Sequence, residues 1–188
     1  MSFSREDIVN LALVELGEPP ITSLATDTSK PAKVMRAIYE TAVKSVLRAH
    51  PWRCAQKRTR LAPDPTVDTT EIEFSFACLL PGDFVSMVLV NDPLTHFKRA
   101  GRHLLCDDNA PWVIYIARVP EEEFDPGLVM CIAAQLAALS CFAITDNASL
   151  RENLEKVYLS RLADARRADA LDGVADEPQP GELELARY

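Results

Sequence analysis

The sequence predicts an α+β fold, mainly α: an antiparallel helical bundle with an inserted antiparallel β subdomain and an extended C-terminal tail. Three observations carry it. Apolar residues recur at helical spacing before Pro51 and again after Pro126, the period shortens to two in between, and beyond Gly173 no periodicity survives. The expected divisions are residues 1–51 (first helical part), 52–124 (β insertion), 125–172 (second helical part) and 173–188 (tail).

Ser4 before Arg5-Glu6-Asp7 reads as an N-cap with acids in the first turn, where they oppose the positive helix end. Ile8, Leu11, Ala12 and Leu16 follow at helical spacing, and Gly17 supplies the stop. Glu18-Pro19-Pro20 forces an extended exit. Pro31 opens a second helix from its tolerated first-turn position, with Val34, Ile38, Ala42 and Val46 as one stripe flanked by Tyr39 and Leu47. Pro51 ends that helix at His50.

After Pro51 the pattern changes. Glu71-Ile72-Glu73-Phe74-Ser75-Phe76 alternates strictly, which predicts a strand with Ile72, Phe74 and Phe76 on one face. Residues 84–90, opened by Pro81-Gly82-Asp83, and residues 112–119, opened by 107–111, are further strands. Short strands are expected within 53–61 and 97–106. Asp125-Pro126 then starts a third helix that is apolar all round from Leu128 to Ile144 and reads as buried on every side. Its alanines at 133, 134, 137 and 138 allow neighbouring helices to approach closely. Gln135 interrupts it, so no membrane span is expected. A long amphipathic helix follows Asn147, with Leu150, Leu154, Val157, Tyr158, Leu162 and Ala165 on its apolar stripe.

The chain has 188 residues, 48% hydrophobic and 26% charged, which excludes disorder throughout and allows one core. Five cysteines without a CxxC spacing read as reduced, buried thiols of a cytoplasmic protein, and the N-terminus carries no export signal. Three histidines lack metal-ligand spacing, and GxxxxGK[ST], GxGxxG and GxSxG are all missing. No enzyme, metal or cofactor is therefore expected. The carboxylates at Asp107-Asp108 and Glu121-Glu122-Glu123 lie beside prolines and read as solvated turns.

Net charge is −8, but it is unevenly placed. Residues 1–60 carry ten basic against six acidic side chains, and the remainder carries ten against twenty-two. Between Glu40 and Asp64 there is no acid, while Lys44, Arg48, Arg53, Lys57, Arg58 and Arg60 accompany His50 and Trp52. Such a strand face is a candidate for meeting DNA phosphate or an acidic protein surface; an ordinary solvated face is the competing interpretation. Trp52 reads as a packing anchor between helix and strand. The tail offers Leu183, Leu185 and Tyr188 as apolar groups it cannot bury alone, against the plainer reading of a disordered terminus.

Residues 10–18 (Asn10-Leu11-Ala12-Leu13-Val14-Glu15-Leu16-Gly17-Glu18), the junction Val46-Leu47-Arg48-Ala49-His50-Pro51-Trp52, the run from Glu73 through Leu80-Pro81-Gly82-Asp83-Phe84, Trp112 to Val119, and Phe124-Asp125-Pro126 before the Ala-rich helix form an ordered set. This set resembles the head-to-tail adaptor proteins of short-tailed bacteriophages, a family also called tail tubular protein A, over nearly the whole chain. The resemblance implies a structural virion protein at the head-tail interface, made in the host cytoplasm. Its subunits assemble as a ring, commonly dodecameric, beneath the portal protein. That ring receives the tail nozzle protein and extends the channel through which double-stranded DNA passes without sequence-specific binding. It makes Leu183, Leu185, Arg187 and Tyr188 candidates for docking on the portal. Arg53, Lys57, Arg58 and Arg60 would then face an acidic neighbour or tail protein. The alternative is a nucleic-acid-binding DNA-packaging factor that uses the basic stretch 44–60.

Overall fold

The computed structural model describes residues 2–70, 73–91 and 94–171. Helix α1 (Arg5–Leu16) begins at Ser4 with a reciprocal cap: the Ser4 hydroxyl accepts the Asp7 N–H at 3.1 Å, and the Asp7 carboxylate accepts the Ser4 N–H at 2.9 Å. Gly17 ends it at φ 74°, a left-handed conformation that only glycine adopts without strain. The Asn10 side chain then clasps both backbone groups of Ile21, at 2.8 and 3.0 Å, and so fixes the exit past the two prolines.

Helix α2 (Lys30–Ala49) is capped by Ser29 and has Pro31 in its first turn. The buried stripe is Met35, Tyr39, Ala42, Val43 and Val46, while Val34 and Ile38 are only half-buried. Ala42, Val46 and the flanking Tyr39 and Leu47 are buried as expected, and Met35 and Val43 take the place of Val34 and Ile38 on the face of α2, which packs on α3.

The insertion is antiparallel, as expected, but consists of two three-stranded sheets. Strands β1 (Gln56–Arg60), β6 (Trp112–Ala117) and β3 (Phe84–Val90) form one in the order β1-β6-β3; β2 (Phe76–Leu79), β5 (His103–Cys106) and β4 (Lys98–Ala100) form the other in the order β2-β5-β4. In the first, Lys57 stands opposite Tyr115, and two register shifts bend β3. The predicted strand over 71–76 is corrected: β2 begins only at Phe76, Ile72 lies outside the described residues, and Phe74 turns inward with Ala77 and Leu105 to form a satellite core. Residues 97–106 form a hairpin turning at Gly101 (φ 59°), and 53–55 are a short 3-10 turn ahead of β1. Strand β6 stops two residues before the expected end, because Arg118 turns away into the ion network described below.

Helix α3 (Pro126–Thr145) is the centre of the helical layer and packs on α1, α2 and α4 (Ala148–Leu171). By length and composition alone it is apolar enough to cross a membrane, yet most of it is buried among these neighbours. Close approach to α4 occurs at Gly127, where a Cβ would lie 3.4 Å from the Ala165 methyl. The expectation of burial on all sides is corrected. Met130, Leu139 and Phe142 are exposed, Phe142 by 52%, because three helices cover only part of the cylinder. On α4, Leu154, Leu162 and Ala165 are buried as the stripe predicted, but Val157 is open to solvent. Helices and strands share one continuous apolar core.

Cys78, Cys106, Cys131 and Cys141 are buried, Cys54 is half-buried, and all are free thiols. Burial pushes the Cys54 and Cys78 thiols up to about 12 and that of Cys131 to about 11, from an ordinary 9.0. Above pH 9 the unfolded chain therefore binds fewer protons than the folded one. The stabilisation is complete below that pH and is lost as the pH rises toward 11 to 12. The urea midpoint is expected to fall on crossing pH 9 and to fall less steeply in a Cys54→Ala, Cys78→Ala, Cys131→Ala variant. Equal slopes in the two proteins would contradict this assignment.

Candidate interaction surface at the basic junction

The cationic stretch lies where α2 hands over to β1. Pro51 lacks an N–H and cannot continue the helix, so the chain turns through extended His50 (φ −153°, ψ 149°). Trp52 folds back beneath it: the indole is 1% exposed, its N–H donates to the Val46 carbonyl at 2.9 Å, and the His50 ring meets its edge at 4.9 Å. Trp52 is thus the packing anchor the sequence suggested, and it also satisfies one of the open carbonyls at the end of α2.

Asp169, near the end of α4, closes the other side of the corner. Its carboxylate accepts the Arg53 backbone N–H at 3.0 Å and lies 3.0 Å from His50 Nε2, while Arg53 Nε donates to the Asp169 carbonyl at 3.0 Å. Arg166 donates to the Ala49 carbonyl. Asp169 is only 9% exposed at its side chain, and sequence reasoning missed it. A signal was present, since Leu162, Ala165 and Asp169 share one helical stripe and an acid there needs a buried partner.

The four predicted basic residues are not equivalent. The Arg53 guanidinium donates to the Asp169 carbonyl and forms no ion pair with its carboxylate. Lys57 pairs with Asp83 at 2.9 Å, and the Tyr115 hydroxyl donates to the other Asp83 oxygen at 3.0 Å. Burial works against the Asp83 charge, but these two hydrogen bonds hold its carboxyl below the ordinary value. Arg58 lies over the Trp112 ring at 4.2 Å, and Arg60 is exposed. One of the four cations, Lys57, thus finds an acid within its own chain, while the Arg53 guanidinium meets only a backbone carbonyl. The remaining outward charge comes from Lys44, Arg48, Arg53, Arg58 and Arg60, all exposed. Arg48 also donates to the Val85 carbonyl at 3.3 Å and borders a groove of about 400 Å³ between Arg48–Pro51 and Ser86–Val88.

The acid runs divide differently from their sequence reading. Asp108 accepts the Ala110 N–H at 2.9 Å as a turn contact, as expected, but it also accepts the Asn91 amide, and Asp107 accepts the Ser75 N–H and hydroxyl at 2.9 and 2.8 Å, contacts that join segments 17 and 32 residues apart. Glu121 is a correction. It takes the Arg118 guanidinium at 2.7 Å and the Tyr39 hydroxyl at 3.1 Å, while Arg118 also reaches Glu40 at 3.1 Å and Arg5 stacks over the Tyr39 ring at 4.2 Å. Arg118 hydrogen bonding holds Glu40 below the ordinary carboxylate range, and burial followed by the Glu121 charge pushes Tyr39 far up. This network ties α1 and α2 to the exit of β6.

Among the described residues no group of three or more His, Cys, Asp or Glu side chains is placed to hold a metal ion. His50 and His103 each face a single carboxylate, Asp169 and Asp64, at 3.0 Å. The Thr66 hydroxyl and His103 together lower Asp64 to about 2. Leu183, Leu185, Arg187 and Tyr188 lie outside the described residues. No protein-family model matches the chain, and no curated protein matches it.

Proposed function

We propose that this chain is a structural virion subunit, a head-to-tail adaptor. It forms a ring between the portal protein and the tail nozzle protein and extends the DNA channel. In this reading an antiparallel helical bundle carries the β subdomain outward and a C-terminal tail docks on the portal. The observation that supports it most is the set of large apolar side chains left open on the helical layer: Val14 of α1 is 67% exposed, and Leu139 and Phe142 of α3 are 45% and 52% exposed. Exposed apolar surface on the helical layer suits a subunit that buries it against its neighbours in a ring. The uneven charge, basic in residues 1–60 and acidic beyond, favours a head-to-tail arrangement.

The packaging-factor alternative needs a dense row of free cations on 44–60, and the pairing of Lys57 with Asp83 weakens it. The test is negative-stain imaging and native mass of the chain mixed with the portal protein and with duplex DNA. Rings seated on the portal are expected, and their loss in a chain ending at Gly181 or carrying Leu183→Ser and Leu185→Ser. A monomer that ignores the portal and binds DNA with steep salt dependence would overturn the adaptor reading. Attachment unchanged by the truncation would remove the tail from the portal interface.

A further inference from the structure

We propose that the outer edge of β1 at Arg58–Arg60 takes an extended segment of a partner protein as an added strand, with two acidic side chains of that segment, two residues apart, facing Arg58 and Arg60. The inference rests on the adaptor reading only in taking the partner to be a protein rather than DNA.

The backbone supplies the docking edge. Strand β6 pairs with one side of β1, and among the described residues no strand pairs with the other. Just past β1, Leu61 donates its N–H to the Pro111 carbonyl at 2.9 Å, one step further along the same register. In an antiparallel ladder the backbone groups alternate sides, so those of Thr59 and Lys57 face β6 and those of Arg58 and Arg60 face away. The Gln56 N–H, next in that outward row, is closed by the Arg53 carbonyl of the 3-10 turn. Among the described residues no backbone hydrogen bond reaches Arg58 or Arg60 on the outer side, and only the Thr59 hydroxyl touches the Arg60 carbonyl, at 3.4 Å. Such an edge is a template for an extended segment.

The side chains select which segment. Arg58 stands opposite Ile114 and Arg60 opposite Trp112, so both arginines share one face of the sheet. Both are exposed, and among the described residues neither has a carboxylate within ion-pair distance. Asp108 senses the Arg60 charge but is bonded to Asn91 and Ala110. Lys57 lies on the opposite face and is held by Asp83. In an added strand, side chains on one face recur every second residue, so an acid-x-acid spacing meets both arginines.

Two other occupants fit less well. A second copy of β1 sets arginines against arginines, and like charges at facing positions destabilise a strand pair. DNA phosphate can accept from the N–H and guanidinium groups but offers nothing to the outward carbonyls, whereas a polypeptide satisfies both rows.

The test is titration of the full chain with the end-blocked peptide Val-Glu-Val-Glu-Val, followed by NMR and amide hydrogen exchange. At a peptide concentration about four times its dissociation constant, the Arg58 and Arg60 amides are expected to exchange about fivefold more slowly. The same peptide with Lys for Glu, or methylated at its backbone nitrogens, is expected to give no protection. Arg58→Glu with Arg60→Glu is expected to reverse the preference, taking the Lys peptide and losing the Glu peptide. Exchange in α1 and α3 reports folding of that variant, and if it unfolds, the Lys and methylated peptides decide. Unchanged Arg58 and Arg60 amides at millimolar Glu peptide overturn the proposal, and so does equal binding of the methylated peptide, which reduces the contact to charge alone. Loss of peptide binding while rings still seat on the portal defeats this inference only. Stronger protection by a DNA duplex than by the peptide defeats it together with the adaptor reading.

Discussion

Trp52→Ala lowers the unfolding free energy by about 3–5 kcal/mol, read as a shift of the denaturant midpoint at unchanged slope. The indole is 1% exposed and lies in the core shared by helices and strands, so its removal leaves a void. It also leaves the Val46 carbonyl without its partner. His50 loses the ring edge it packs on, which loosens the corner that Asp169 closes. Trp52→Phe keeps most of the packing and loses the N–H, so its effect is expected at about 1–2 kcal/mol. A loss below 1 kcal/mol for the alanine variant would show that the corner collapses freely, and that Trp52 is no anchor.

The second large effect is expected at Arg118. Its guanidinium serves Glu121 and Glu40, and Glu121 in turn receives the Tyr39 hydroxyl. Arg118→Ala leaves Glu121, at 18% side-chain exposure, charged and without its cation, whereas Glu40 is half exposed and recovers water. Removing one member of a fully buried pair costs about 3–5 kcal/mol, and partial solvent access here reduces the expected loss to about 2–3 kcal/mol. Adding Glu121→Gln to Arg118→Ala is expected to recover part of it, because the stranded charge is then gone. If the double variant were no more stable than the single one, the loss would belong to packing against Phe124 rather than to the ion network.

Much of the architecture was legible because its signals are local. Ser4 with Asp7, Gly17, Pro31 and Pro51 each act within one helical turn of themselves, and the helix boundaries follow them. Residues 84–90 were legible for the same reason, since a Pro-Gly-Asp turn opens an apolar run. The errors arise where partners are distant. Alternation at Glu71–Phe76 tells which side chains share a face but not where a partner strand begins, and pairing with β5 starts only at Phe76. Composition made α3 apolar all round, yet nothing local states that only three helices cover it. The junction was legible as a cluster of cations around Trp52, whereas the acids it meets, Asp169 at the Arg53 backbone and Asp83 at Lys57, stand 116 and 26 residues away. Glu121 was misread in part for the same reason: Arg118 is three residues away, but Tyr39 and Glu40, which complete the network, lie about 80 residues earlier.

The bond between Asp169 and Arg53 also has a mechanical side. Any traction on the chain beyond Leu171 arrives two residues later at a carboxylate tied to the start of the β layer, not at a freely fraying helix end. Force drawn from that terminus is thereby handed to the bend between α2 and β1, where Trp52 wedges the two layers together. A load-sharing corner of this kind lets the end of the polypeptide be tugged without first unwinding the helix that carries it.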